Sequence, residues 1–117
     1  MAGEVAGRRE RAGRQNERMW LGAIEFDLRL GDVHSLKEKR SVVRPLVADL
    51  RRHFQLSAAE VNHLDLHRRA GIGVAVVAPD RAHVVDVLDS AERLVAGRPE
   101  LELLSARRTV NRPGSDS

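Results

Sequence analysis

The segment RAGIGVAVVA, Arg69 to Ala78, constrains the fold more than any other part of the chain. It places Ile72, Val74 and Val76 on one face of an extended strand and Gly73, Ala75 and Val77 on the other. A strand that is apolar on both sides belongs in the middle of a sheet, with neighbours on either hand. Three further stretches can supply them. MWLGAIEFDLRL sets Trp20, Ile24, Phe26, Leu28 and Leu30 against Ala23, Glu25, Asp27 and Arg29 with period two, the signature of a half-buried strand. ELELLSARRTV alternates Leu101 and Leu103 against Glu102 and reads as a last strand. In QLSAAEVNHLDLHRR, Ala59 and Val61 keep odd numbers while Leu64 and Leu66 keep even ones. That slip predicts a β-bulge near Asn62 or His63.

Two amphipathic helices separate these runs. Ser35 followed by Glu38 is a capping box, in which the hydroxyl takes the Glu38 amide and the carboxylate reaches back to the Ser35 amide. Leu36, Val43, Val47, Leu50 and Phe54 then form the stripe of a helix lying on a sheet. Pro45 falls inside it, removing a backbone donor and crowding the preceding turn. The expectation is a kink or bulge near Ser41, or a frayed first turn over Ser35 to Arg44. Asp80 can cap a second helix with the stripe Val84, Val87, Leu88, Ala91, Leu94 and Val95, ended by Gly97 and Pro99. The order strand, helix, strand, strand, helix, strand predicts an α+β, ferredoxin-like βαββαβ sandwich. Its four-stranded antiparallel sheet carries both helices on one face and leaves the other open.

At 117 residues the chain fits one domain. Residues 1–18 are Gly, Ala, Arg and Glu without periodicity, and the reading is a disordered basic tail, a single domain over 19–110 and a second disordered tail over 111–117. The absence of cysteine excludes disulfides, thiolate metal sites and cysteine nucleophiles. With no signal-like or membrane-length apolar run, the expected location is the cytoplasm and no membrane partner is expected.

HSLKEKRSVVRPLVADLRRHF carries six Lys or Arg residues. At about 100° per residue, Lys37, Arg40, Arg44 and Arg51 fall within roughly 60° of one another, beside the apolar stripe. Such a strip can follow phosphates, or it can simply be the wet face of the helix. The candidate RNA or anion contacts are Lys37, Lys39, Arg40, Arg44, Arg51 and Arg52. Sheet-face RNA readers of this fold stack bases on rings. GIGVAVVA has none, so contacts to phosphates and shape are expected rather than base reading. Gly73, Ala75 and Val77 on the open face are candidates for self-association, which gives a homodimer as the alternative reading.

The remaining signals are weak. HLDLH would project His63, Asp65 and His67 to one side of a strand, but a bulge there breaks the alignment, and no metal or other cofactor is expected. His34, His53 and His83 are scattered. Glu25 and Asp27 share a strand face and read as partners in surface cross-strand pairs. AGIGVA lacks both the spacing and the helix of a phosphate loop, and no serine sits in a nucleophile motif. The chain is therefore expected not to be an enzyme.

Taken together, MWLGAIEFDLRL, SLKEKR (Ser35 to Arg40), AAEVNHLDL, RAGIGVAVVA and PELELL resemble the YlxP-like family of small bacterial proteins, over about Met19 to Leu104. Asp65, Leu66, Arg69 and Ala70 match that family's middle segment. Leu64, His67 and Arg68 stand where it usually carries a Trp and neighbouring Gln residues. The resemblance implies a ferredoxin-like fold and, in many bacteria, a gene close to those for a translation initiation factor and a ribosome-binding factor. It implies no particular reaction. With the basic strip it leads to the expectation of an RNA- or ribosome-associated module linked to translation or ribosome maturation, with ribosomal RNA or a ribosomal particle as partner.

Overall fold

The structure is a computed structural model and describes residues 18–113. Of the tails expected at 1–18 and 111–117, residues 1–17 and 114–117 lie outside the described residues, while Asn111 belongs to the last strand. Six elements follow in the anticipated order: β1 (Trp20–Leu30), α1 (Leu36–His53), β2 (Ser57–Asn62), β3 (Arg69–Ala78), α2 (Arg81–Ala96) and β4 (Leu101–Asn111). The strands form one antiparallel sheet in the order β2-β3-β1-β4. This is the ferredoxin-like arrangement.

β1 behaves as its alternation requires. Ile24, Phe26, Leu28 and Leu30 are buried under the helices, whereas Ala23, Glu25, Asp27 and Arg29 face the other way. β3 lies centrally, pairing β1 on one side and β2 on the other, and Ile72, Val74 and Val76 join the core. α1 closes the core with Val43, Leu46 and Leu50, and α2 with Val84, Leu88, Ala91 and Val95. Gly22 sets the approach of α2 to β1, because a Cβ there would stand 2.3 Å from Val84 Cγ1 and 2.9 Å from Leu88 Cδ1.

Both helix starts are capped by the side chains named from sequence. Ser35 Oγ accepts from the Glu38 amide at 3.1 Å, and Asp80 Oδ1 accepts from the His83 amide at 2.8 Å. The return arm of the first box differs from expectation. Glu38 Oε1 accepts from the His34 amide at 3.0 Å, one residue before the cap. Pro45 does not break α1, which is helical from Leu36 to His53. Pro45 and Ser41 both lie on the exposed side of the helix, where solvent can take the carbonyl that proline leaves without a donor.

Two bulges reset strand parity. Glu60 pairs Ile72 and Asn62 pairs Gly71, so Val61 is the extra residue, one position before the expected bulge. A Cβ on Gly71 would come within 2.5 Å of Asn62 Cβ and 3.2 Å of its Cα, so the bulged strand needs glycine opposite it. β2 ends at Asn62, and HLDLH is a connecting segment rather than strand. In β4, Ser105 pairs Asp27 and Leu103 pairs Leu28, which leaves Leu104 as the second bulge.

Candidate nucleic-acid interface and open sheet face

The structure divides the six cations of α1 into two groups. Lys37, Arg40 and Arg44 are exposed and form no ion pair with another described residue. The other three are used by the fold. Arg51 turns its guanidinium toward the edge strand, where Nε donates to the Ala58 carbonyl at 3.0 Å. Arg52 pairs with Asp49 in the preceding turn, and Asp49 also receives Arg98 from beyond α2. The Arg98 hydrogen bond, outweighing the cost of desolvation, holds the Asp49 carboxyl below the usual aspartate range.

Lys39 corrects the sequence reading outright. Its residue exposure is 2%, so it is no surface contact for phosphate. Nζ donates to the His63 carbonyl at 2.6 Å and lies 2.8 Å from Glu60 Oε2. Burying an ammonium is tolerable only with such partners. The acceptor is a strained residue, since His63 has φ 57, a left-handed conformation that side chains other than glycine rarely adopt. Lys39 therefore ties α1 to the bulged end of β2 and to the first residue of the segment that follows it. Half of SLKEKR is thus structural: Ser35 and Glu38 cap, and Lys39 locks.

The opposite face of the sheet is uncovered. Ala59 and Val61 of β2, Gly73, Ala75 and Val77 of β3, and Ala23 of β1 lie along it, and most of them line a shallow groove of about 830 Å³. Val77 and Val61 are 60% and 52% exposed. Gly73, Ala75 and Val77 are therefore on the free face, as the alternation placed them. The carboxylates of this face are matched, and Arg51, which also lines the groove, donates to a backbone carbonyl. Glu25 receives Arg107 directly across the β1–β4 pair at 3.0 Å, Arg29 reaches Glu102 at 3.4 Å, and Asp27 receives Arg69 at 2.6 Å.

His63 Nε2 stands 3.4 Å from Asp27 Oδ1, which brings a His and an Asp together at the end of this face. Sequence reasoning missed the pair, because Asp27 and His63 are far apart in the chain and one lies in a segment read as strand. The Arg69 hydrogen bond depresses the Asp27 carboxyl against a smaller opposing effect of burial, so this group is a fixed anion rather than a base poised near neutrality. Arg108, on the helix side of β4, shows the complementary effect. Burial works against its charge, but Glu92 and Asp89, both at 2.9 Å, raise its pKa above the ordinary value. Among the described residues, no group of three or more His, Asp or Glu is placed to hold a metal, and no helix is long and apolar enough to cross a membrane.

Residues 21–108 match a family described as a protein of unknown function, DUF503. The chain belongs to this DUF503 family. Its relatives include the uncharacterized protein YlxP of Bacillus subtilis (strain 168), 28% identical over 92 residues, which are 79% of this chain and 95% of YlxP. Among solved structures, a variant of SnoaB, a cofactor-independent oxygenase from Streptomyces nogalater, aligns with a TM-score of 0.41 and 14% identity over 84% of this chain and 95% of its own. That activity is SnoaB's own.

Proposed function

We propose that this DUF503 member is a non-enzymatic, cytoplasmic RNA-associated module of translation or ribosome maturation, and that it meets a phosphate backbone through Lys37, Arg40 and Arg44. One observation carries the reading: of the cations on α1, these three are exposed and unclaimed by the described fold, whereas Lys39, Arg51 and Arg52 have intramolecular partners. They follow one line along the helix, and the seven steps from Lys37 to Arg44 rise about 10.5 Å, enough to track two or three phosphates. Among the described residues, the strands turn no aromatic ring toward the open face for stacking, so binding is to backbone and shape. The depressed Asp27 carboxyl, held as a fixed anion by Arg69, supports a role without general-base chemistry at this end of the sheet.

The test is co-sedimentation with ribosomal particles from the host at low and near-physiological salt, comparing wild type with Lys37→Glu/Arg40→Glu. Wild type should travel with a particle, and its binding should fall with salt at a log–log slope of about −2 to −3. The double variant should keep its thermal melt and lose the particle. Equal behaviour of the two proteins would refute the assignment.

A further inference from the structure

We propose that the open face of the sheet is the contact between two copies of this chain, packed about a two-fold axis that passes at Ala75. The inference is independent of the RNA reading, because it uses the opposite side of the molecule.

The case begins with the shape of β3. Along its free side the residues run Gly73, Ala75, Val77, from no side chain to a branched one. A two-fold axis across the strand at Ala75 sets Ala75 against Ala75 and turns Val77 of each copy toward Gly73 of the other. Val61 leans over Gly73, its Cγ1 only 3.2 Å from where a Cβ would stand. Val77 of one copy would therefore meet Val61 of the other, and these are the large apolar side chains that the face exposes most, at 60% and 52%. Ala23 lies directly beside Ala75 in the sheet and Ser57 on its other side, so nothing bulky stands on the axis to hold the sheets apart.

Electrostatics and the flatness of the face point to the same occupant. Each carboxylate on this face already has its arginine, in the pairs Glu25–Arg107, Asp27–Arg69 and Arg29–Glu102. These pairs leave no unmatched carboxylate among the described residues of the face to repel a second copy, and Arg51 at the groove's edge is held on the Ala58 carbonyl. The groove is also broad and unwalled, formed by one side of a sheet, and so suits a flat partner better than a small molecule. Four strands about 4.8 Å apart, each giving about 20 Å of length, present on the order of 400 Å² in projection. Side-chain relief adds to this, and a standard interface uses about 800 Å² per partner. The surface therefore belongs at the small end of the scale, where dimers form and dissociate with concentration.

The experiment is sedimentation equilibrium over a concentration series reaching about the millimolar range, at 0.1 and 1 M salt. Wild type should move from monomer toward dimer mass, with no weakening at high salt. Ala75→Arg and Ala75→Glu should each be monomeric with a retained thermal melt, since position 75 is exposed and its cross-strand neighbours are small. Mixing the two variants should restore the dimer, because only a contact of position 75 with itself brings the opposite charges together. A wild type that stays monomeric, a dimer that survives both substitutions, or a mixture that fails to associate would each overturn the proposal.

Discussion

Replacing Lys39 should be among the most damaging changes available in α1, although by residue type it looks like a surface position. Lys39→Met keeps most of the buried stem and removes the charged donor. It forfeits a hydrogen bond from a charged group to the His63 carbonyl, at about 1.5–3 kcal/mol, and leaves Glu60 without its cation. Breaking a fully buried pair costs about 3–5 kcal/mol, but the Glu60 side chain is 22% exposed and recovers part of that from solvent. A loss of about 3 kcal/mol is expected, which lowers Tm by roughly 12–24 °C in a domain of this size. Lys39→Ala adds the loss of buried methylenes and a cavity, and its total approaches the whole stability of a small domain. Urea unfolding followed by far-UV circular dichroism measures the loss, and amide exchange should open first around Glu60 to Leu64. A Lys39→Met/Glu60→Leu double variant should recover part of the deficit, because the orphaned carboxylate is then gone. If Lys39→Met unfolds within 0.5 kcal/mol of wild type, on the scale of an ordinary surface change, the lock described here does not exist.

Gly22→Ala should destabilise by about 1–3 kcal/mol, because its methyl would enter the space held by Val84 and Leu88 of α2; thermal melts check this, and Val84→Ala in the same chain should relieve it. Acid should weaken the fold through Asp27 and Asp49. Both carboxyls titrate below their unfolded value, so the stability they contribute is present above that value and drains away as pH falls through the folded one. Denaturation at stepped pH should show stability declining below about pH 4, and Asp27→Asn should flatten part of that slope. An unchanged slope in Asp27→Asn would mean that Arg69 gives the carboxylate no advantage in the native state.

Much of this was written in periodicity. The period-two runs at Trp20 to Leu30 and Arg69 to Ala78 and the caps at Ser35 and Asp80 appear in the structure as the sequence reads. The errors arise where residue type and position disagree. Positions 39, 43, 46 and 50 fall on one helical stripe, and all four are buried. Residue type nevertheless points Lys39 to the surface, because lysine is almost never buried unless paired, and its pairing depends on a bulge and a carbonyl contributed by β2 and the residue after it. The same applies to Arg51, whose acceptor is a backbone oxygen that no side-chain pattern can announce. The slip in the LELLSARRTV run is visible in hindsight as Leu103 and Leu104 in succession, but a doubled leucine signals a bulge only once the partner register is known.

The burial of Lys39 has a practical corollary. The sequence contains only two lysines, Lys37 and Lys39, and the fold leaves one of them in reach. Amine-directed reagents applied to the folded domain will modify a single side chain, the first cation of the α1 strip. A crosslinker delivered there reports on whatever lies against that surface from one known point. Labelling at Lys39 begins only when the clamp to His63 opens, so the ratio of the two modified peptides, read by mass spectrometry, reports how often the native protein opens there.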